Sequence, residues 1–362
     1  MSGVIRWRHG TVTALRRSWR GAVELDVDLV ARDPADPPRV RALAYPELVG
    51  RPEVGDGVLL NVGALALGLG TGGYALVVAV PDRLPADQDR PGHVVKARYT
   101  PMQAIVLAAD EEDSPHRAVL AAADSLDGTP VVLADLHSAL PAVLAGVHAD
   151  RPDARVAYVM TDGGALPAWF SRTLDGLADR LAGVVTVGQA FGGDLEATNT
   201  HVGLLAARHA LRADVVIVTQ GPGNLGTGTR WGFSGVAVGE AVNAVAALGG
   251  RPVGSLRIST ADPRARHRGV SHHSLTAYGR VALAAADLVV PAGLDPALGV
   301  PAAVAPLRER HRVVTVPVEG LDGALRALPV KLSTMGRDLD GDHAYFLSAA
   351  AAGRHAASLL PR

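Results

Sequence analysis

The feature that most constrains the fold is a regular alternation of apolar runs and helical patterns, which starts near residue 96. Runs rich in Val, Ile and Leu alternate with amphipathic segments such as LPAVLAGVHA and GEAVNAVAALGG. The apolar runs occupy residues 131–135, 155–160, 183–187, 214–219, 252–258, 287–291 and 312–316. Continuously apolar strands that alternate with helices are typical of a mostly parallel sheet covered on both faces. The sequence therefore predicts a Rossmann-like, three-layer α/β domain over residues 96–362.

Residues 1–80 show a different pattern. Segments such as AVELDVDLV and RVRALAYPEL are short, alternate apolar with polar residues, and end at clusters of Gly, Pro and Asp. This pattern predicts short strands rather than helices. The proline-rich segment 81–93, PDRLPADQDRPGH, is typical of a linker between domains. We therefore expect a small antiparallel β-rich domain, either a barrel or a sandwich, over residues 1–90.

Composition excludes several classes of chemistry. The 362 residues include no cysteine, which rules out disulfides, thiolate metal ligands and a cysteine nucleophile. Lys96 and Lys331 are the two lysines, so lysine chemistry would fall on one of them. The net charge of −1 gives no overall attraction to nucleic acid or to a membrane surface. No apolar stretch has the length of a membrane span and no signal-like core follows the first residues, so we expect a cytoplasmic protein without membrane contact.

Glycine and polar residues collect directly after the predicted strands. His137 follows the first strand and Asp162 the second, while the segments 188–201, 221–235 and 259–274 follow the next three. The segments that lead into the strands are short and show no comparable concentration of glycine and polar residues. The carboxyl ends of parallel strands meet at one edge of a sheet, where loop amides and helix N-termini bind ligands. This asymmetry predicts a functional site at that edge.

The segment 221–235, GPGNLGTGTRWGFSG, is rich in glycine. It satisfies G-x-G-x-x-G, but no helix opens inside the motif and no acid ends the next strand, as a dinucleotide site requires. The Gly-Lys-Ser/Thr of a P-loop is also missing. One interpretation is an anion nest of loop amides, threonine hydroxyls and an arginine. The other is a tight connection without room for side chains. We expect ligand contact from Gly223, Gly226, Thr227, Gly228, Thr229 and Arg230.

Acids and a histidine at the strand ends are candidates for proton transfer. Asp135 and His137 are two residues apart on an extended segment, which allows the acid to orient the histidine as a general base. Asp162 and Asp194 are each either a helix cap or an acid of the site. We expect catalytic roles for His137, Asp162 and Asp194. Glu196 is expected in the first turn of a helix, where the helix dipole favours an acid.

The segment 261–274, ADPRARHRGVSHHS, concentrates arginine and histidine. Under one interpretation, Arg266 and its neighbours bind a phosphate while His267 and His272 transfer protons. Under the other, the histidines bind a metal ion together with an acid. The candidate ligands for that ion are His267, His272 and His273 with Asp194 or Asp262. Because no H-E-x-x-H or similar spacing supports a metal, we assign none and leave the cofactor open.

Several segments together resemble one bacterial family, known as domain of unknown function family 3866. They include LGLGTGGYALVVAV, AYVMTDGGALP, FGGDLEATN, GTGTRWGFSG, RHRGVSHHSLTA and LPVKLSTMGR. The resemblance extends over nearly the whole chain. It implies a bacterial, cytoplasmic lineage, and it implies no activity, substrate or catalytic residue.

Two functions remain open from the sequence. The first is binding, with or without turnover, of a small anionic or phosphorylated metabolite at the carboxyl edge of the sheet. The second is a non-catalytic interaction scaffold whose N-terminal domain binds a protein or nucleic acid, because arginine interleaved with tryptophan can stack on single strands. The residues concerned are Arg6, Trp7, Arg8, Arg16, Arg17, Trp19 and Arg20. An edge strand with solvated arginines gives the same pattern, and the near-neutral charge disfavours nucleic acid. A homodimer is compatible with either function.

Overall fold

The computed structural model describes residues 4–87 and 89–361. The chain divides into two compact units. One comprises Met1–Pro91 with Ala97–Ala104, and the other comprises Gly92–Lys96 with Ile105–Arg362. The expected fold class, an α/β domain preceded by a small β-rich one, is confirmed. That residues 1–90 and 96–362 are the boundaries of separate domains stays a prediction.

The N-terminal unit contains a closed five-stranded barrel. Its strands are β1 (Trp7–Trp19), β2 (Ala22–Val30), β3 (Arg39–Ala44), β4 (Gly57–Asn61) and β5 (Ala75–Ala79), with the short helices α1 (Pro46–Val49) and α2 (Gly63–Ala66) between them. The order around the barrel is β1-β2-β3-β5-β4, and each neighbouring pair is antiparallel except β3 with β5. Val23, Leu25 and Val27 of β2 are buried in its core. The period-two pattern of AVELDVDLV therefore fills the barrel.

The second unit is built on a parallel sheet of eight strands. The chain first forms a two-stranded sheet of β6 (Val94–Lys96) and β7 (Ala104–Val106), then helix α3 (Arg117–Ala121). The large sheet contains β8 (Pro130–Leu133), β9 (Val156–Thr161), β10 (Gly183–Thr186), β11 (Leu195–Glu196), β12 (Val215–Gln220), β13 (Arg251–Ser255), β16 (Asp287–Pro291) and β17 (Arg312–Val316). Between β13 and β16, a two-stranded antiparallel sheet is formed by β14 (Ile258–Ser259) and β15 (Gly269–Val270).

Two helical layers cover the large sheet. The helices are α4 (Leu140–Asp150), α5 (Arg172–Gly176), α6 (Thr200–Leu205), α7 (Ala237–Ala247), α8 (His272–Thr276), α9 (Val300–Val304), α10 (Leu321–Arg326) and α11 (His343–Ser358). Helices α4, α10 and α11 pack on one face, and α6, α7 and α9 pack on the other. Val132 of β8 faces the first layer, whereas its neighbours Val131 and Leu133 face the second. The continuous apolar runs are thus explained by burial on both faces.

The strand order places a crevice at the centre of the sheet. The order is β11-β10-β9-β12-β8-β13-β16-β17. It differs from the 3-2-1-4-5-6 order of dinucleotide-binding folds because β12 lies between β8 and β9. Strand β8 leads into α4 on one face, while its neighbour β12 leads into α7 on the other. Loops that diverge to opposite faces leave a ligand-binding crevice at the carboxyl ends of the strands. Within the described residues, no helix has the length and hydropathy of a membrane span.

Candidate functional site

Three arginines converge on one cavity at this edge of the sheet. Arg230 comes from the loop after β12, Arg266 from the segment between β14 and β15, and Arg280 from the π-helical turn that follows α8. The cavity has a volume of about 630 Å³ and is also lined by His272 and Gly228. We call it the arginine cavity. The rest of its lining includes the apolar residues Leu275, Ala303, Pro306 and Leu307.

The positive charge of the arginine cavity is not compensated by the protein. In the described parts of the chain, the exposed side chains of Arg230, Arg266 and Arg280 form no ion pair and no hydrogen bond, and no acid lines the cavity. Guanidinium groups bind carboxylates and phosphates through paired hydrogen bonds. Three unpaired guanidiniums around one space therefore favour an anionic ligand.

Neighbouring arginines are bound instead to a buried acid, Asp262. Its Oδ2 atom lies 3.1 Å from Nη2 of Arg257 and 2.9 Å from Nη2 of Arg264, and Arg337 lies 3.5 Å away. Burial acts to raise the pKa of Asp262, but the hydrogen bonds from Arg264 and the nearby charges outweigh it and hold the pKa well below its usual range. Asp262 is therefore a structural anion, and Arg266 is left available for a ligand.

Three histidines form a compact cluster beside the arginine cavity. One nitrogen from each of His267, His272 and His273 lies within 4.8 Å of the others. The cluster forms because Ser271 caps the N-terminus of α8 by accepting a hydrogen bond from the His273 amide, which places His272 and His273 in the first turn. The ring of Phe233 stacks on His273, with centroids 3.7 Å apart. His272 is the member of the cluster that lines the cavity.

Polar atoms at the cluster are buried without partners. Among the described residues, Oδ2 of Asp135, Nε2 of His272 and Nδ1 of His273 have no hydrogen-bond partner. Asp135 is 5% exposed and His273 is 7% exposed. A buried polar atom without a partner costs about 1–3 kcal/mol, and most buried polar atoms in folded proteins are paired. A bound water, ion or ligand would supply the missing partners.

Burial keeps these histidines neutral. It lowers the pKa of His267 and of His273 to about 3, with the nearby Arg257 acting in the same direction. Burial also lowers the pKa of His272. The same cause raises the pKa of Asp135, against the attraction of Arg257. At neutral pH each imidazole therefore has a free lone pair for a proton or for a metal ion.

The glycine-rich loop contributes fewer contacts to the cavity than its sequence suggests. Gly228, with φ of +82°, and Arg230 line the arginine cavity. The side chains of Thr227 and Thr229 hydrogen-bond to each other, and both also bond to Gly232, so they hold the loop in shape. The other members of the predicted set, Gly223 and Gly226, do not line the cavity.

Close packing explains another glycine of this loop. A Cβ atom on Gly221 would lie 2.4 Å from the carbonyl oxygen of Ala165, and one on Gly164 would lie 2.3 Å from the carbonyl oxygen of Gly221. The loops after β9 and β12 are therefore in backbone contact at this point. The tight-connection interpretation therefore holds at Gly221, and ligand contact by Gly228 and Arg230 stays a prediction.

Asp162 and Asp194 lie outside the arginine cavity. Oδ2 of Asp162 accepts a hydrogen bond of 3.0 Å from the Gln189 amide. Oδ2 of Asp194 accepts one of 2.8 Å from the Val184 amide. Neither residue caps a helix, since the cap of α6 is Asn199. Both acids are exposed and hold loop backbone, and the structure does not bring them to the cavity.

His137 belongs to a separate buried network. Its Nδ1 atom lies 3.0 Å from the hydroxyl of Tyr158, and its Nε2 atom lies 2.7 Å from the hydroxyl of Ser171. The expected orientation of His137 by Asp135 is wrong, because both ring nitrogens already have these other partners. Asp135 faces His273 instead, at 3.9 Å. His137 is not among the residues that line the cavity.

Glu196 is not in a helix, contrary to expectation. It ends the short strand β11, is buried, and lies 3.3 Å from Nζ of Lys96. It also accepts hydrogen bonds from the Thr186 hydroxyl and the Gly192 amide. This buried ion pair was missed because neither residue stands out by spacing. The rarity of lysine in the chain was the available signal.

Two arginines of strand β1 are paired with acids. Arg8 lies 2.6 Å from Asp36, and Arg16 lies 2.7 Å from Asp26. Trp19 is 9% exposed and Trp7 is 37% exposed. The positive charge of the N-terminal stretch is therefore partly neutralised by acids from neighbouring segments.

The fold defines a class: a three-layer α/β protein with an N-terminal β-barrel and an unpaired arginine cluster at the sheet edge. Residues 41–353 match the family described as protein of unknown function (DUF3866), and the chain belongs to this family. The resemblance found in the sequence is thereby confirmed. Neither the curated proteins nor the solved structures contain a match to the chain.

Proposed function

We propose that the protein binds a small phosphorylated metabolite in the arginine cavity. The observation that supports this most strongly is the set of three unpaired guanidiniums, of Arg230, Arg266 and Arg280, around a space lined by no acid. They come from three separate segments, so the packing of the domain, and not one basic stretch, brings them together. The positive electrostatic potential of three clustered arginines attracts and orients anions.

The shape of the cavity supports a metabolite over a bare inorganic ion. A volume of about 630 Å³ is within the range of about 300–1,000 Å³ typical of small-molecule sites. Its lining combines the three arginines with the apolar residues Leu275, Pro306 and Leu307. A ligand that carries both a phosphate and an apolar or aromatic group matches this mixed lining. If the ligand is also turned over, His272, which lines the same cavity, is the neutral base in reach in the protein without a bound metal ion.

Calorimetric titration with adenosine monophosphate, adenosine and inorganic pyrophosphate tests the proposal. We expect the two phosphate compounds to bind and adenosine to bind far more weakly. Since a hydrogen bond to a charged group contributes about 1.5–3 kcal/mol, Arg266→Ala and Arg230→Ala should each weaken binding by at least about tenfold. Arg268→Ala is the matched control, because Arg268 is exposed like Arg230 and Arg266 but does not line the cavity. Equal affinity in all variants, or no binding of either phosphate compound, would overturn the proposal.

The scaffold hypothesis has less support. Its candidate surface is the arginine- and tryptophan-containing strand β1, in which Arg8 and Arg16 are paired with acids. A cytoplasmic location and a homodimer remain part of the proposal without a structural argument of their own.

A further inference from the structure

We propose that His267, His272 and His273 bind a divalent transition-metal ion at the wall of the arginine cavity, with Asp135 as the accompanying carboxylate. This goes beyond the proposed anion binding, which requires no metal ion. It also departs from the interpretation of the sequence, which assigned no metal.

The separation of Asp135 and His273 fits a single ion, and the three histidines need only small ring movements to reach the same ion. One nitrogen of each histidine lies within 4.8 Å of the others. Oδ2 of Asp135 lies 3.9 Å from Nδ1 of His273, too far for a hydrogen bond. Two ligands at about 2.0–2.2 Å from one zinc ion lie up to roughly 4 Å apart. The carboxylate and the ring are therefore spaced as two groups around one cation.

The orphan atoms give the second, independent observation. Nε2 of His272, Nδ1 of His273 and Oδ2 of Asp135 are buried and have no hydrogen-bond partner in the described chain. Oδ2 of Asp135 is a lone-pair donor, and each ring nitrogen is one in the tautomer that protonates its other nitrogen. No N–H or O–H of the described residues reaches any of the three atoms. One cation would satisfy all of them, whereas leaving them unpaired costs free energy at each atom.

Neighbouring residues fix the orientation of the His267 and His273 rings, as is usual for histidines that bind a metal ion. Nδ1 of His267 lies 2.7 Å from the hydroxyl of Ser271. When Nδ1–H donates to this hydroxyl, Nε2 has the free lone pair, which is the usual arrangement of a histidine ligand and its hydrogen-bonded supporter. Phe233 fixes the plane of His273 by stacking within 2° of parallel. The rings are thus oriented before an ion arrives.

The ligand chemistry selects the class of ion. Imidazole nitrogens suit zinc and its first-row neighbours, whereas magnesium and calcium prefer shells of oxygen. The positive charge of Arg257 opposes a cation nearby, but Arg257 is paired with Asp262 at 3.1 Å. Because His272 lines the arginine cavity, a bound ion would add positive charge to the wall that faces the anion.

Titration of chelator-treated protein with Zn²⁺ and Co²⁺, without any phosphate compound, tests the proposal. We expect one ion per chain by calorimetry and a visible ligand-field absorption with Co²⁺. His272→Gln and His273→Gln should each raise the dissociation constant for Zn²⁺ by at least about tenfold. His201→Ala is the control, because His201 is exposed on α6 and does not belong to the cluster.

Two further measurements keep the result interpretable. Circular dichroism and melting of each variant in chelator show whether it folds, and a variant that melts like the wild-type protein but binds Zn²⁺ weakly supports the proposal. Zn²⁺ binding that is equal in all variants, or absent from folded wild-type protein, overturns it. Anion binding is measured separately in chelator, so loss of the metal site and loss of the anion site give different results.

Discussion

Oδ2 of Asp135 and Nδ1 of His273 face each other at 3.9 Å, and neither has a hydrogen-bond partner among the described residues. Asp135 follows β8, and His273 lies in the first turn of α8. Two elements that are distant in the chain therefore place two unpartnered lone-pair donors side by side, next to a cavity with three unpaired arginines. This arrangement connects the two proposals: an anion in the cavity and a cation at its wall.

Asp135→Asn should separate the stability of the metal-free protein from the effect of zinc. The amide keeps the shape of the carboxyl group and removes its charge, so in chelator we expect a melting temperature equal to or above that of wild type. With Zn²⁺, the variant should lose about 1.4 kcal/mol of stabilisation for each tenfold loss in affinity. Thermal melting with and without Zn²⁺ measures both effects. A variant that gains as much from Zn²⁺ as wild type would show that Asp135 does not serve the ion.

Gly146→Ala should destabilise the protein, although alanine favours a helix by about 1 kcal/mol over glycine. A Cβ atom at Gly146 of α4 would lie 1.8 Å from the carbonyl oxygen of Ala350 in α11. The two helices would have to move apart at a fully buried contact, which costs about 1–3 kcal/mol or more. Urea unfolding measures the change. Gly323→Ala in α10 is the matched control, since no atom lies within 4 Å of its Cβ position, and it should be neutral or stabilising.

Lys96→Met should cost about 3–5 kcal/mol, because it leaves the buried Glu196 without its counter-ion. Nζ of Lys96 also donates to the carbonyl oxygens of Ala190 and Ala197, at 2.8 and 3.0 Å. The double variant Lys96→Met/Glu196→Gln removes both charges and should recover part of the loss. Urea unfolding of the two variants tests this. If the single and the double variant are equally unstable, the ion pair is not the source of the effect.

Because of the buried His137, the protein should be less stable in mild acid than at neutral pH. Burial lowers its pKa to about 4 in the folded protein, from an ordinary value of 6.5. Between these values the unfolded chain binds a proton that the folded protein does not, so the free energy of unfolding decreases as the pH falls. The full difference amounts to about 3 kcal/mol, and it is present above about pH 6.5. Unfolding of wild type and His137→Asn at about pH 7 and about pH 4.5 should show a smaller pH-dependence in the variant. Identical pH-dependence would contradict this.

The architecture could be predicted because its physical cause is local. Strands buried on both faces exclude polar residues, so segments such as 131–134 and 215–218 show as uninterrupted apolar runs. The barrel strands show as period-two alternation for the same reason. The strand order could not be predicted, because the insertion of β12 between β8 and β9 depends on how helices pack and not on any periodicity.

From the sequence, only those residues of the candidate site that directly follow strands could be predicted. Arg230, Arg266 and His272 line one cavity, as their positions after β12 and β13 suggest. Arg280 was missed because it lies inside a helical pattern, and its position depends on the turn after α8. The Asp135–His273 contact was missed because it needs the three-dimensional path of the chain, and the local Asp135–His137 spacing suggested a different partner.

The most direct test of the central claim is a crystal structure of the wild-type protein with tungstate, a phosphate analogue located by its anomalous scattering, at a concentration that occupies the site in solution. We predict one strong peak in the arginine cavity, within hydrogen-bond distance of at least two of Arg230, Arg266 and Arg280, and its loss in Arg266→Ala. Tungstate bound only elsewhere on the protein, with the arginine cavity left without a peak, would contradict the account.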